Sequence, residues 1–366
     1  MTRVAIVTPD VVGSRMAGPG IRAFHFATEL ARTFDVVLVA QLRDLEARGF
    51  ETAEWGTPAA RAAMRASDVL VGQPRREVLS VRHRRAIYDL FDPTVLELEE
   101  LVRRDPAFRL RVHRQLEWGR LSVALRTGWR CIAATSRQRD FYLGVHASRT
   151  GDIQRWPDRW LEIPFGAETG PEAGEPAIPP GAPVAAWGGG TWEWLDPALA
   201  VRAVEQLNAE GVAVRILFLG TGHPNRLVDG KVGLPIGGDE AFILRNDEWV
   251  PYRERGRWLS GCRLSIMLHG VTAESELSIR TRLFDAIAFG IPVVATRGGW
   301  AADLVESEGL GIVVEPESLE SVAAGIRRLV EDDGFHAVCV DNLERLRPRF
   351  AWSEVVRPLV EAIGDR

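Results

Sequence analysis

Twice along this 366-residue chain a short uninterrupted apolar run is followed by a glycine-bearing loop and then by a helix-forming stretch. The first run is Val4-Ala5-Ile6-Val7, followed by a loop over 8–20 that carries Gly18 and Gly20, and then by a helical pattern over 21–33. The second is Val184-Ala185-Ala186-Trp187, followed by Gly188-Gly189-Gly190 and a helical stretch reaching Leu207. A strand that is apolar at every position has no face for water, so each run is read as a strand buried on both sides in a parallel sheet. Further strands are read at 35–40, 68–71, 85–90, 132–135 and 160–164, and again at 215–220, 264–268 and 311–314, with a short one entering a turn at 246–252, and they alternate with helical stretches. That alternation predicts an α/β protein with two parallel sheets wrapped by helices. Residues 166–183, rich in Gly, Pro and Glu, have linker composition. The expected division is 1–165 and 184–350 as two α/β domains, with the last residues, 351–366, read as helical.

Ligands of such sheets bind at the carboxyl ends of the strands. Glycine there lets backbone approach a phosphate closely, and a following helix offers free N–H groups. Gly18, Gly20, Gly189 and Gly190 are therefore candidate diphosphate contacts, although neither loop is a GxGxxG and an ordinary turn fits the first equally well. Residues 278–296 add a second helix start. Ser278 stands where an N-cap belongs, and Gly290 and Pro292 mark the stop. Arg280, Thr281 and Arg282 would then surround free N–H groups and bind a diphosphate. Asp285, one turn on, is placed to hold a ribose. The competing reading makes Arg280 and Arg282 solvated helix charges, with Asp285 paired to one of them. Asp89 and Asp92 close a strand in the first half, and Arg22 and His25 open its first helix. Asp92 and His25 are candidates for orienting an acceptor hydroxyl, with a turn aspartate and a packing histidine as the alternatives. Trp192 is a candidate cover for the sugar, while Trp194 is read as packing.

Composition narrows the class. Hydrophobic residues at 46% and charged residues at 26% describe a globular chain. No apolar run approaches the ~18 residues of a membrane span, and the first residues enter a strand without an apolar leader. Cys131, Cys262 and Cys339 show no metal or disulfide spacing. A cytoplasmic protein is expected, with no bound metal, no cofactor and no nucleic-acid partner. Residues 1–165 hold 26 Arg against 20 Asp and Glu, and the remainder is net acidic. The Arg-rich half suggests peripheral contact with an anionic membrane or an anionic acceptor, unless it is simply a solvated surface.

Six segments in order resemble the family 4 retaining glycosyltransferases of the GT-B fold. They are MAGPGIRAFHFATEL, YDLFDP, RQRDFYLG, WGGGTWEWLDP, NDEWVPYRERGRWL and RTRLFDAIAFGIPVVAT. The resemblance implies two Rossmann-like domains facing across a cleft, with the last helix crossing back to the first domain. It implies a nucleotide diphosphate sugar bound mainly by the second domain, with the base near Trp249, Val250 and Pro251. It also implies transfer of that sugar, with retention and without a metal, to a small-molecule or lipid-linked hydroxyl acceptor. Departures accompany it. The family's pair of glutamates falls at Leu277 and Asp285, with Glu276 one position away. The basic residues usual in the second glycine loop are missing, and Arg280 and Arg282 are the candidates to replace them, with Arg280 counted among the catalytic residues. Phe91 stands where a histidine is frequent. A nucleotide-sugar epimerase and a nucleotide-binding protein without catalysis are the alternative functions.

Overall fold

The computed structural model describes all residues except 46–48, 151–156, 171–173, 193, 221–236, 247 and 366. The chain forms two compact units. The first comprises Met1–Gly166, Leu277–Ile279 and Trp352–Arg366, and the second Ala167–Glu276 and Arg280–Ala351.

The first unit is built on seven strands: β1 (Arg3–Gly13), β2 (Asp35–Arg43), β3 (Glu51–Glu54), β4 (Val69–Gly72), β5 (Ala86–Asp89), β6 (Arg130–Ala133) and β7 (Trp160–Glu162). They lie in the order β3-β2-β1-β4-β5-β6-β7 and every pair is parallel. Val4, Ala5, Val36, Leu38, Val69, Leu70 and Ile87 have almost no exposed surface, as the continuous apolar runs require. The second unit repeats the plan with β8 (Val184–Gly188), β9 (Arg215–Leu219), β10 (Ile243–Asn246), β11 (Leu264–Met267), β12 (Val293–Thr296) and β13 (Gly311–Val314). Their order is β10-β9-β8-β11-β12-β13, again all parallel. In both sheets strand order reverses beside the first strand of the unit, between β1 and β4 and between β8 and β11. Both glycine loops thus leave the sheet at a topological switch point.

Several local expectations are corrected. β1 runs on to Gly13 through residues read as loop, because its pairing with β2 resumes after an irregularity between Val7 and Val11. The helix behind it begins at Gly18. β3 carries charge at both ends and gave no apolar signal. Residues 94–127 form two helices, Thr94–Arg104 and Phe108–Thr127, broken around Pro106. β10 ends at Asn246, and the expected strand over 246–252 gives way to a turn of 3-10 helix at Tyr252–Glu254. The stretch before Arg280 contains a short helix at Ala273–Leu277.

The final helix, Trp352–Gly364, packs on the Gly18–Leu30 helix of the first unit. Trp352 fills the space a side chain at Gly166 would need, since a Cβ there would stand 2.3 Å from the indole. Directly beyond, Ala167 donates its N–H to Phe350 O at 2.7 Å and pairs in parallel with Ala351.

Candidate functional site

The second unit holds the best-formed site. Trp187, the penultimate residue of β8, is fully buried. Gly189 follows it with φ +85°, and a Cβ at Gly188 or Gly189 would meet nothing within 4 Å. These two residues therefore line open space, and the positive φ explains why the second is glycine. The loop after β8 is knitted to the loop after β11: Leu195 forms a bridge with His269, and Gly270 N donates to Trp194 O at 3.2 Å. Trp192 stacks on Trp194 at 5.3 Å; Trp194 is buried and Trp192 half-buried.

The helix at Thr281–Phe289 comes next to this loop through Arg282. Its guanidinium lies over the Trp187 ring at 4.9 Å, and Nη2 donates to Gly190 O at 3.3 Å. Nη1 is buried without a partner, and no carboxylate lies within ion-pair distance among the described residues. Burial, then the neighbouring Arg280 charge, push the Arg282 group down to about 9. It is a cation in want of an anion.

Arg280 was expected to share that role. Instead its Nη1 and Nη2 grip both oxygens of Glu274 at 2.9 and 2.8 Å. Glu274 is 2% exposed, so this is a buried pair. Arg280 is also the residue that precedes the helix, making no side-chain cap. Ser278 does not cap it either: its Oγ is buried without a partner. The helix starts at Thr281, two residues later than a Ser278 cap would place it.

Asp285 pairs with neither neighbouring arginine. Arg255 Nε donates to its Oδ1 at 3.0 Å, while Arg255 Nη2 holds Glu168 at 2.8 Å. Arg255 lies 3.7 Å over the Tyr252 ring. The second Asp285 oxygen has no protein hydrogen bond among the described residues, and the side chain is 42% exposed. Trp249, Val250 and Pro251 are half-buried beyond the carboxyl end of β10, with Trp249 beside Gly220 at the end of β9. His269 closes the set. Its N–H donates to Thr296 Oγ1 at 3.1 Å and its Nδ1 meets Gly270 O at 3.1 Å. Burial and then the Arg280 charge hold it down to about 4, so it is neutral at pH 7. Among the described residues no three His, Cys, Asp or Glu side chains converge as a metal site.

In the first unit the expected residues are largely spent on packing. A Cβ at Gly20 would stand 2.2 Å from Val11 O. Gly20 is therefore required by close helix–strand approach rather than by a ligand, and Gly18 is simply the first helical residue. Arg22, 1% exposed, donates to both oxygens of Asp89 at 2.7 and 3.2 Å and to Ile163 O and Pro164 O. The His25 ring stacks on Trp352 at 4.4 Å and is 8% exposed, a packing arrangement rather than an acceptor contact. Asp92 is half-buried on a cavity of about 30 Å³ with Gln73, Arg75 and Tyr142, room for roughly one water. Leu277 packs against the first unit's core, so an apolar residue there has its own structural role.

Residues 184–332 match the family model described as glycosyl transferases group 1. That stretch, about two fifths of the chain, is similar to the group 1 glycosyltransferases. Among curated relatives, sucrose-phosphate synthase 4 of Arabidopsis thaliana is 33% identical over 75 residues, 20% of this chain and 7% of that protein. An uncharacterized glycosyltransferase of Methanocaldococcus jannaschii is 30% identical over 77 residues, 21% of this chain and 20% of that one. The match thus spans only 7% to 10% of the plant relatives' length. Solved structures align over nearly all of it: sucrose-phosphate synthase from Thermosynechococcus elongatus (TM-score 0.68, 15% identity, 99% of this chain and 98% of that one), and HepE of Anabaena in complex with UDP and glucose (TM-score 0.65, 14%, 100% of both). At such identities the likeness establishes the fold, which is GT-B.

Glu274, His269, Trp187 and Arg255 were missed from the sequence. His269 directly follows a predicted strand, so the carboxyl-end rule marked its position. Nothing local distinguishes Glu274 or Arg255, whose importance comes from burial and from partners distant in sequence.

Proposed function

We propose that the chain is a retaining glycosyltransferase whose second unit binds a nucleotide diphosphate sugar at the carboxyl ends of β8 and β11. The observation that carries this reading is Arg282, a poorly hydrated, unneutralised guanidinium beside a glycine loop with open space before it. A diphosphate supplies the missing charge, and in this reading Arg282 is the cation that holds it, without a metal. HepE forms crystal complexes with UDP and with UDP-glucose, which supports a nucleotide-sugar donor here.

Asp285 offers its free oxygen to the ribose, oriented by Arg255, and the Trp249–Pro251 segment is suited to the base. His269, held neutral, is able to hydrogen-bond the sugar without repelling Arg282. In the transfer, the acceptor hydroxyl oxygen attacks the anomeric carbon from the side of the leaving diphosphate. The bond to the phosphate oxygen breaks, the new glycosidic bond forms, and the acceptor proton passes to that oxygen. Charge grows on the diphosphate as the bond breaks, so a fixed cation lowers the barrier.

A thermal-shift panel of UDP, GDP, dTDP and ADP tests the reading, because a ligand that binds only the folded state raises its melting point. One nucleotide should shift wild type and fail to shift Arg282→Met. Absence of any shift with all four overturns the assignment.

A further inference from the structure

We infer that the outer face of the Phe108–Thr127 helix is a docking surface for an anionic lipid bilayer. This goes beyond the donor chemistry above and does not depend on it.

The helix is apolar in two opposite directions. Its inward residues are Glu117, Leu121, Ala124 and Leu125. At roughly 100° per residue, Leu121, Ala124 and Leu125 fall within about 80° of Glu117, while Phe108, Val112 and Leu116 fall on the far side. Those three are exposed by 82%, 40% and 54%. At i, i+4 and i+8 they form a continuous stripe on the side facing away from the protein.

The charges around the stripe have one sign. No Asp or Glu occurs between 108 and 116. Arg109 and Arg111 flank the stripe on either side; both are exposed, and neither makes an ion pair among the described residues. Asp105, before the helix, accepts the Ala107 N–H. The inner side is fixed in place. Glu117 pairs with Arg75 and Arg120 and meets His113, and Trp118 Nε1 donates to Glu99 at 3.1 Å. The outer stripe is therefore presented on a rigid element.

Apolar side chains facing outward between unneutralised guanidiniums match the bilayer interface. The stripe enters the acyl boundary, while guanidinium forks bond lipid phosphates at the headgroup level. A protein partner of matching shape would need acidic residues on both rims of an apolar groove; an anionic bilayer supplies both features without specific design. Among the described residues no helix is long and apolar enough to span a membrane, so the contact is peripheral.

Flotation of the full chain with phosphatidylcholine vesicles, with and without phosphatidylglycerol, tests the inference. The wild type should bind the anionic vesicles at least tenfold better. Phe108→Ser, Val112→Ser and Leu116→Ser together should lower that binding at least tenfold. Arg109→Glu with Arg111→Glu should reduce it to the level seen on neutral vesicles. Far-UV circular dichroism and melting should be unchanged, as all five side chains are solvent-facing. Equal wild-type binding to both vesicle types, or undiminished binding by the triple variant, overturns the proposal. So does a dimer that the triple variant abolishes, with no vesicle binding. The nucleotide thermal shift is read on the same proteins, so failure of the docking surface and failure of the donor site are told apart.

Discussion

The Arg282 guanidinium rests on the Trp187 ring, 4.9 Å from its centroid, with one nitrogen on Gly190 O and another buried without a partner. A desolvated cation in this state costs the folded protein free energy until an anion arrives. Arg282→Met keeps the apolar stem and removes the charge. Its melting temperature should equal or exceed that of wild type, while affinity for the preferred nucleoside diphosphate falls at least tenfold. Calorimetric titration and a thermal melt on one preparation check both halves, and a destabilised variant with normal affinity would contradict the assignment.

Arg280 should behave in the opposite way. Both Glu274 oxygens depend on it, and Glu274 is 2% exposed. Arg280→Ala leaves a buried carboxylate alone, a change that costs about 3–5 kcal/mol. Urea unfolding should register that loss. Glu274→Gln introduced into the Arg280→Ala background should recover part of it, because the residual burden is an unpaired charge.

The two glycine loops separate by a paired substitution. Gly20→Ala drives a Cβ into Val11 O and should destabilise by about 2 kcal/mol with unchanged nucleotide affinity per folded molecule. Gly189→Ala meets no neighbour but must hold φ +85°, a cost of about 1 kcal/mol. Its methyl group occupies the open space before the loop, so nucleotide affinity should fall at least tenfold.

His269 provides a pH signature. Its folded value is depressed to about 4 by burial and the Arg280 charge, from an ordinary 6.5. Below 6.5 the unfolded chain takes up a proton that the folded protein refuses, so stability is lost as pH falls from 6.5 toward 4. Carboxylates titrate in the same window, so the difference between wild type and His269→Gln is the relevant readout. The variant's melting temperature should fall less steeply over that interval.

The architecture was legible because parallel strands buried on both faces leave continuous apolar runs, and β1, β2, β4, β8, β9 and β11 all carry them. β3 left no such trace, since Glu51–Glu54 at the sheet edge is half water-exposed. The candidate site was legible only in outline. The glycine loop after β8 and the charged helix start announced themselves, but the division of labour between Arg280 and Arg282 did not. It is decided by Glu274, six residues back and packed out of water, and by the Trp187 ring, 95 positions away. Likewise His25 reads as chemistry until Trp352, at the far end of the chain, covers its ring.

Gly166 lies against Trp352, and Ala167 pairs with Ala351, so the polypeptide leaves the first unit and re-enters it by neighbouring routes. Severing the peptide anywhere from 174 to 183 would not liberate two halves. The carboxy-terminal fragment would keep its grip on the amino-terminal one through the helix that begins at Trp352, and the nicked molecule should migrate as a single species until denatured.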